Sequence, residues 1–307
     1  MLLSVVIPVY NEAENLPFVF HRLTEVLQKL NVNYEIIFVN DGSTDKSLFV
    51  IKSFIKGEGR IRYINLSRNF GHQVAVSAGL DFVRGDKVII MDADGQDPPE
   101  VIEKLYLKSL EGYDVVYAKR KKREGETIFK TITAKWFYRI MRKITQIDIP
   151  LDTGDFRIVD KRIIEHLRRM PEKHKFIRGQ ISWLGFSQQS IEYEREKRIA
   201  GETGYTMRKM LRLALDGITS FSNWPLKLAT ISGFLFAGVA FILILYTLYA
   251  RIFTDNYVAG WASQMITILL IGGIQLIGIG IIGEYISRIS DNVRNRPLYI
   301  IEETNIS

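Results

Sequence analysis

Two uncharged runs constrain this chain more than any other feature. Residues 228–250 and 261–283 are each 23 residues long and contain no Asp, Glu, Lys or Arg. As helices they would each be about 34 Å long, enough to cross a hydrocarbon core of about 30 Å. A soluble fold rarely buries two such helices in succession, so the pattern predicts two transmembrane helices. The second run carries Gly272, Gly273, Gly278, Gly280 and Gly283. Glycine at that density weakens a helix in water but lets helices approach closely in lipid, which makes homo-oligomers feasible. Gln275, strongly polar in mid-span, is expected to face another helix. The link 251–260 carries one Arg and one Asp, whereas Arg208, Lys209, Arg212 and Lys227 precede the first run and Arg288, Arg294 and Arg296 follow the second. That asymmetry predicts cytoplasmic ends and an external link. The start, Met1-Leu2-Leu3-Ser4, has no basic region before its apolar run and reads as a strand rather than a signal peptide.

Composition narrows the chemistry. Hydrophobic residues make up 47% of the 307 and charged residues 24%, which excludes a disordered or collagen-like chain. With no cysteine there is no disulfide framework, thiolate metal site or Cys nucleophile. The net charge of +7 is local: residues 119–143 hold ten Lys/Arg against Glu124 and Glu126, and the rest of the chain is near neutral. An acidic partner is expected there, either nucleic acid or an anionic membrane surface. Within this stretch Ile128, Ile132, Trp136, Ile140 and Ile144 recur at four-residue steps, interleaved with Lys130, Lys135, Arg139, Arg142 and Lys143. A helix at about 127–146 could therefore lie on the lipid bilayer, the alternative being a core helix with a solvated basic face. Residues 205–224 offer a second amphipathic, basic candidate. No nucleic-acid motif accompanies the basic run, so no nucleic-acid partner is expected.

Residues 1–120 alternate strand and helix patterns. Apolar runs at 4–9, 34–39, 61–66, 87–91 and 113–117 are separated by helical patterns, one of them spaced at Leu16, Phe20, Leu23, Leu27 and Leu30. Continuous apolar strands in such alternation predict an α/β domain with a parallel sheet covered on both faces, and ligands bound beyond the carboxyl ends of its strands. Three of those ends are polar: Pro8-Val9-Tyr10-Asn11-Glu12, Asn40-Asp41-Gly42-Ser43-Thr44-Asp45 and Asp92-Ala93-Asp94-Gly95-Gln96-Asp97. Carboxylates converging on one rim repel one another unless a cation sits among them, and hard oxygen ligands suit Mg²⁺ or Mn²⁺. Taken singly, the third motif reads more readily as a helix cap before Pro98-Pro99 or a turn, and the second as a turn. Asp45 is expected to cap a helix, His21, His166 and His174 to lie at the surface, and Trp183 to lie in the core.

Together the motifs are specific. Val6-Ile7-Pro8-Val9-Tyr10-Asn11-Glu12, Val39-Asn40-Asp41-Gly42-Ser43, Leu66-Ser67-Arg68-Asn69-Phe70-Gly71-His72, Met91-Asp92-Ala93-Asp94-Gly95-Gln96-Asp97-Pro98-Pro99-Glu100 and Thr153-Gly154-Asp155-Phe156-Arg157 follow one another in order. This resembles the family-2 glycosyltransferases of the GT-A fold, in particular the membrane-anchored polyprenyl-phosphate glycosyltransferases. Bactoprenol glucosyltransferases and dolichyl-phosphate mannose synthases are members of that group. The resemblance covers essentially the whole chain. It implies a Rossmann-like GT-A catalytic domain over 1–200, juxtamembrane amphipathic helices over 201–227, the two spans within 228–283 and a cytoplasmic tail over 284–307. It also implies a multi-pass protein of the inner (plasma) membrane with its catalytic domain in the cytoplasm.

By the same resemblance the partners are a nucleotide-sugar, best read as UDP-glucose, and a polyprenyl (undecaprenyl) phosphate. Pro8, Tyr10, Glu12, Asp41, Asp92 and Ala93 fall on the nucleotide side. Asp94, with Asp92 and Gln96, falls on the metal. Asp155 falls on the acceptor side, with the catalytic candidate Arg157 in the same motif, and Arg195 and Arg198 look like the basic pair that meets phosphate. Two positions depart from the pattern of many relatives: Gly201-Glu202-Thr203-Gly204 lacks a lysine, and His72 stands where a lysine is common. The reactions kept as alternatives are mannosyl transfer from GDP-mannose and processive polysaccharide synthesis. The latter would carry a Gln-x-x-Arg-Trp motif, which Gln180-Ile181-Ser182-Trp183 lacks. A lipid monophosphate has its second pKa near 6 and is already largely dianionic at neutral pH, so it needs little general base. Asp155 is therefore expected to orient Arg157 or another arginine, or to take a proton from a monoanionic acceptor.

Overall fold

The computed structural model describes residues 1–55, 59–121, 153–196, 222, 224–253 and 260–306. The expected interfacial helix at 127–146, Arg198, Gly201-Glu202-Thr203-Gly204 and most of the link lie outside them. The chain divides into two compact units, Met1–Ala214 with Arg296–Ser307, and Leu215–Asn295.

The first unit is built on the alternation seen in the sequence: β1 (Leu2–Val9), α1 (Leu16–Lys29), β2 (Asn33–Asn40), α2 (Ser47–Phe54), β3 (Ile61–Leu66), α3 (His72–Phe82), β4 (Lys87–Ile90), α4 (Val101–Leu110) and β5 (Val115–Arg120). Then follow β6 (Thr153–Asp160), α5 (Lys161–Arg169), α6 (Ile177–Trp183) and β7 (Gln188–Tyr193). A last strand, β8 (Ile301–Thr304), comes from the far end of the chain. Among the described residues these strands form one sheet in the order β7-β5-β6-β4-β1-β2-β3-β8. Its middle strands are apolar on both faces because helices cover both. Val5 and Ile7 join one buried cluster with α1 and α4, while Val6 joins another with α3 and α5. Helix α3 lies close enough that a Cβ at Gly79 would stand 2.4 Å from Val6 Cγ1.

The sheet is not wholly parallel. β6 runs antiparallel between β4 and β5, with Ile90 opposite Arg157 on one side and Tyr117 opposite Arg157 on the other. Its amino end, Thr153 to Asp155, therefore lies at the rim where the parallel strands have their carboxyl ends. β8 is antiparallel too, closing the edge of β3. The stretch read as a tail is thus helix as far as Val293, and then an edge strand of the first unit. Asn305 secures this strand, its Oδ1 accepting from Tyr63 N (2.8 Å) and its Nδ2 donating to Ile61 O (3.1 Å).

The second unit consists of α7 (Trp224–Phe253) and α8 (Trp261–Val293), which contact each other. Among the described residues one segment, Leu270–Val293, is long and apolar enough to cross a membrane, at 24 residues and mean hydropathy 1.6, and it is not buried within the structure. Trp183, expected in the core, is 63% exposed: it is the last residue of the short α6 and points away from the apolar cluster that holds Ile177 and Ile181.

Candidate active site

The two rims of the sheet treat charge differently. At the amino end Glu35 is buried but satisfied, accepting from Ser4 Oγ (2.6 Å), Arg62 Nη1 (2.6 Å) and Arg84 N (2.8 Å). At the carboxyl end, buried oxygens of Asp92, Asp97 and Asp155 have no hydrogen-bond partner. Buried acceptors without donors are costly, and where they cluster they mark a place built for something else.

The loops that carry these acids are held by the sequence around them. Asp41 follows β2, and its two carboxylate oxygens accept from Phe70 N (2.7 Å) and Gly71 N (2.9 Å). Burial pushes its pKa up, against those two donors. The close approach requires glycine next door: Gly42 has φ +63°, and a Cβ there would lie 2.3 Å from the Arg68 carbonyl carbon. Asp41 therefore fixes the loop that starts α3. Asn11 stitches the first two loops, its N–H donating to Ser43 Oγ (3.0 Å) and its Oδ1 accepting from Thr44 N (2.8 Å). Asp45 Oδ1 accepts from Ser47 N (2.9 Å) but stands one residue ahead of Lys46, which holds the N-cap position of α2 in place of the expected Asp45. Within this frame Pro8 is buried in β1, Tyr10 is 46% exposed, and Glu12 accepts from Asn15 Nδ2.

After β4 come Asp92, Ala93 and Asp94. Asp94 Oδ1 accepts from Gln96 N (3.0 Å), while Arg195 Nη2 stands 3.6 Å from Asp94 Oδ2 and Arg195 Nε 3.8 Å from Asp97 Oδ1. Tyr193 donates its hydroxyl to Asp97, and Gln96 O accepts from Glu196 N (3.0 Å). Burial, opposed by His72 and reinforced by the charges of Asp97, Asp155 and Asp94, pushes Asp92 up to about 7. Across the rim, Asp155 Oδ2 accepts from Gln73 Nε2 (2.8 Å) and lies 2.9 Å from His72 Nε2. Arg178 Nε stands 3.3 Å and Arg157 Nη2 4.0 Å from Asp155 Oδ1. Burial alone would raise Asp155, but Arg178, His72 and Arg157 outweigh it and hold the carboxyl far below the usual range. Burial likewise works against a charged His72, but Asp92 and Asp155 push it up to about 9.

The structure thus brings together Asp92, Asp94, Asp155, Arg157 and Arg195 from the expected set. It adds His72, Gln73, Asp97, Arg178 and Tyr193. His72 was visible as a departure from the pattern. Arg178 could have been suspected as a cation between apolar and small neighbours on a short helix. Nothing in the local sequence singled out Gln73. The donor chemistry fits a hard divalent cation: unpartnered carboxylate oxygens, two of them on Asp92 and Asp97, beside Asp94. Among the described residues no three His, Asp or Glu side chains surround one point as a complete ligand set. Mg²⁺ and its like commonly take one or two carboxylates and fill the rest of the shell from substrate phosphate and water.

A mixed α/β sheet with an acid-lined carboxyl rim, faced by arginines on an inserted antiparallel strand and its neighbours, is the GT-A-like arrangement of a sugar-transferring enzyme. The chain belongs to glycosyl transferase family 2, whose model matches residues 4–168. Residues 224–289 match a second model, the GtrB C-terminal hairpin. The chain is 48% identical over 301 residues to an uncharacterized glycosyltransferase, YkcC, of Bacillus subtilis (strain 168), covering 98% of this chain and 93% of that one. It is 40% identical to a prophage bactoprenol glucosyl transferase homolog of Escherichia coli (strain K12), covering 98% and 99%. It is also 40% identical to the SfII prophage-derived bactoprenol glucosyl transferase of Shigella flexneri, covering 99% of each.

Proposed function

We propose that this glycosyltransferase moves one sugar from a nucleotide-sugar, best read as UDP-glucose since relatives are named glucosyl transferases, to a polyprenyl phosphate, undecaprenyl phosphate being the expected acceptor. The observation that carries the reading is the division of one rim into an acidic lobe (Asp92, Asp94, Asp97) and a cationic one (Arg157 and Arg178 around Asp155). A nucleophile and a leaving group that are both phosphates need such a division, because each must be neutralised separately.

The acceptor phosphate oxygen attacks C1 of the sugar as the bond from C1 to the diphosphate oxygen breaks. A single displacement inverts C1 and needs no proton from a dianionic acceptor. Asp94 and Asp92, with Gln96 alongside, would hold Mg²⁺ or Mn²⁺, which supplies Lewis acidity toward the departing diphosphate. Arg195 steadies Asp94 and Asp97. Asp41 shapes the loop between the nucleotide side and α3, while Pro8, Tyr10, Glu12 and Ala93 border the nucleotide. Asp155 orients arginines rather than acting as a base, since a carboxyl held so low accepts a proton poorly. Arg198 is assigned to phosphate by motif alone. The spans 228–250 and 261–283 would keep the catalytic unit at the cytoplasmic face, where the lipid's phosphate is found, and the product would donate its sugar to a cell-envelope glycan.

The test is a panel of radiolabelled nucleotide-sugars with undecaprenyl phosphate and the full-length enzyme, with and without chelator. The expected product is a lipid carrying one glucose, lost with chelator and restored by Mg²⁺ or Mn²⁺. Label in a polymer, transfer from GDP-mannose alone, or full rate in chelator would sink the corresponding part of the reading.

A further inference from the structure

The cationic lobe contains more than the motifs account for. Asp155 faces two guanidiniums, and they differ in access. Arg157 is 1% exposed and donates to Gly154 O (2.9 Å), so it is sealed inside β6. Arg178 is 17% exposed, donates through Nη1 to Thr153 O (2.8 Å), and sets its buried Nε 3.3 Å from Asp155 Oδ1. One carboxylate cannot neutralise two arginines. Asp155 is shared by Arg178, Arg157 and His72, more positive charge than one carboxylate neutralises, and of the two guanidiniums only Arg178 reaches the surface. An anion reaching this part of the rim meets the partly exposed Arg178.

Arg178 is the second residue of α6, whose position is set by Gln73. The Gln73 amide donates through Nε2 to Asp155 Oδ2 (2.8 Å) and accepts through Oε1 from Ile177 N (3.0 Å). Both ends of one amide are used, so its orientation is unambiguous. It satisfies an N–H in the first turn of α6, which has no partner within its own helix. It also fixes the distance between that turn and Asp155.

We propose that Arg178 is the group that binds the acceptor's phosphate monoester, and that Gln73 is the positioning residue that holds it there. This rests on the reading of the reaction given above, and extends it to the acceptor subsite. The donor diphosphate is assigned to the acidic lobe, so the two substrates should respond differently to changes here.

The test has two readouts on the full-length enzyme in detergent. Farnesyl phosphate, a soluble lipid phosphate, is titrated calorimetrically without donor, and initial rates are measured with undecaprenyl phosphate and UDP-glucose. Arg178→Gln should weaken farnesyl phosphate binding about tenfold or more and raise the lipid KM similarly, the loss expected for a charge-assisted contact, with the UDP-glucose KM within about twofold. Arg178→Lys should restore part of the affinity, because it keeps the charge and loses the fork. Gln73→Leu should act in the same direction but less strongly. A helix that was merely misfolded would move both KM values together. The inference is overturned if Arg178→Gln binds farnesyl phosphate as tightly as the parent, or if the donor KM rises as much as the lipid KM. If the parent enzyme transfers no sugar to lipid phosphate but calorimetry still depends on Arg178, the reaction reading fails and the subsite stands.

Discussion

At the scale of single residues, what matters is which charges are balanced. Glu35 has three donors and is quiet, whereas Asp92 and Asp97 each keep a buried oxygen without a hydrogen-bond partner. Asp155 is balanced differently again: it is over-supplied with cations, so it stays ionised throughout the neutral range. Its folded pKa is depressed, so its contribution to stability is present above the ordinary carboxylate value and is lost as pH falls through the folded one. Asp155→Asn should therefore lower stability by about 3 kcal/mol, because Arg157 is left buried without its counter-charge. Transfer should remain measurable, with an unchanged pH profile. Thermal unfolding and single-turnover rates check both, and complete loss of transfer at every pH in a folded variant would restore Asp155 to the role of base. The acids of this rim were legible as motifs. Their pairing with His72, Gln73 and Arg178 was not, because those residues come from α3 and α6 and meet Asp155 only in the folded chain.

Elements carry the site by how closely they pack. Hydrophobic runs and their spacing located β1 to β4 and the helices between them within a residue or two, because each strand is apolar on both faces and each helix on one. The direction of β6 was not readable. An antiparallel strand and a parallel one bury the same residues, and only the neighbours chosen, β4 and β5, decide which end reaches the rim. Helix α3 depends on Gly79, where an added methyl would meet Val6 Cγ1 at 2.4 Å and Val39 Cγ2 at 3.0 Å. Both valines are fully buried and stiff at χ1, so they cannot step aside. Gly79→Ala should cost about 1–3 kcal/mol in chemical denaturation. It should also depress transfer, since the same helix begins with His72 and Gln73. Unchanged stability would mean that α3 can ride away from the sheet without loss.

For the whole molecule, the proposed topology has a direct test because the chain contains no cysteine. A single Asp255→Cys should react with a membrane-impermeant maleimide added outside intact cells, and a single Asn295→Cys only after permeabilisation. The reverse pattern, or equal labelling of both, would overturn the two-span orientation. Length and lack of charge in 228–250 and 261–283, with the order of the acidic motifs, were enough to establish an α/β catalytic region followed by long apolar helices, because hydrophobic periodicity and local turn chemistry are written residue by residue. Only the tertiary structure decided that residues 301–304 return to close the edge of β3 and that Thr153 to Asp155 enter the rim from the opposite direction. It alone turned Gln73 and Arg178 toward one carboxylate. Strand pairing and the balance of buried charge are long-range choices: they depend on which segments lie side by side, and no local window of the chain contains both partners.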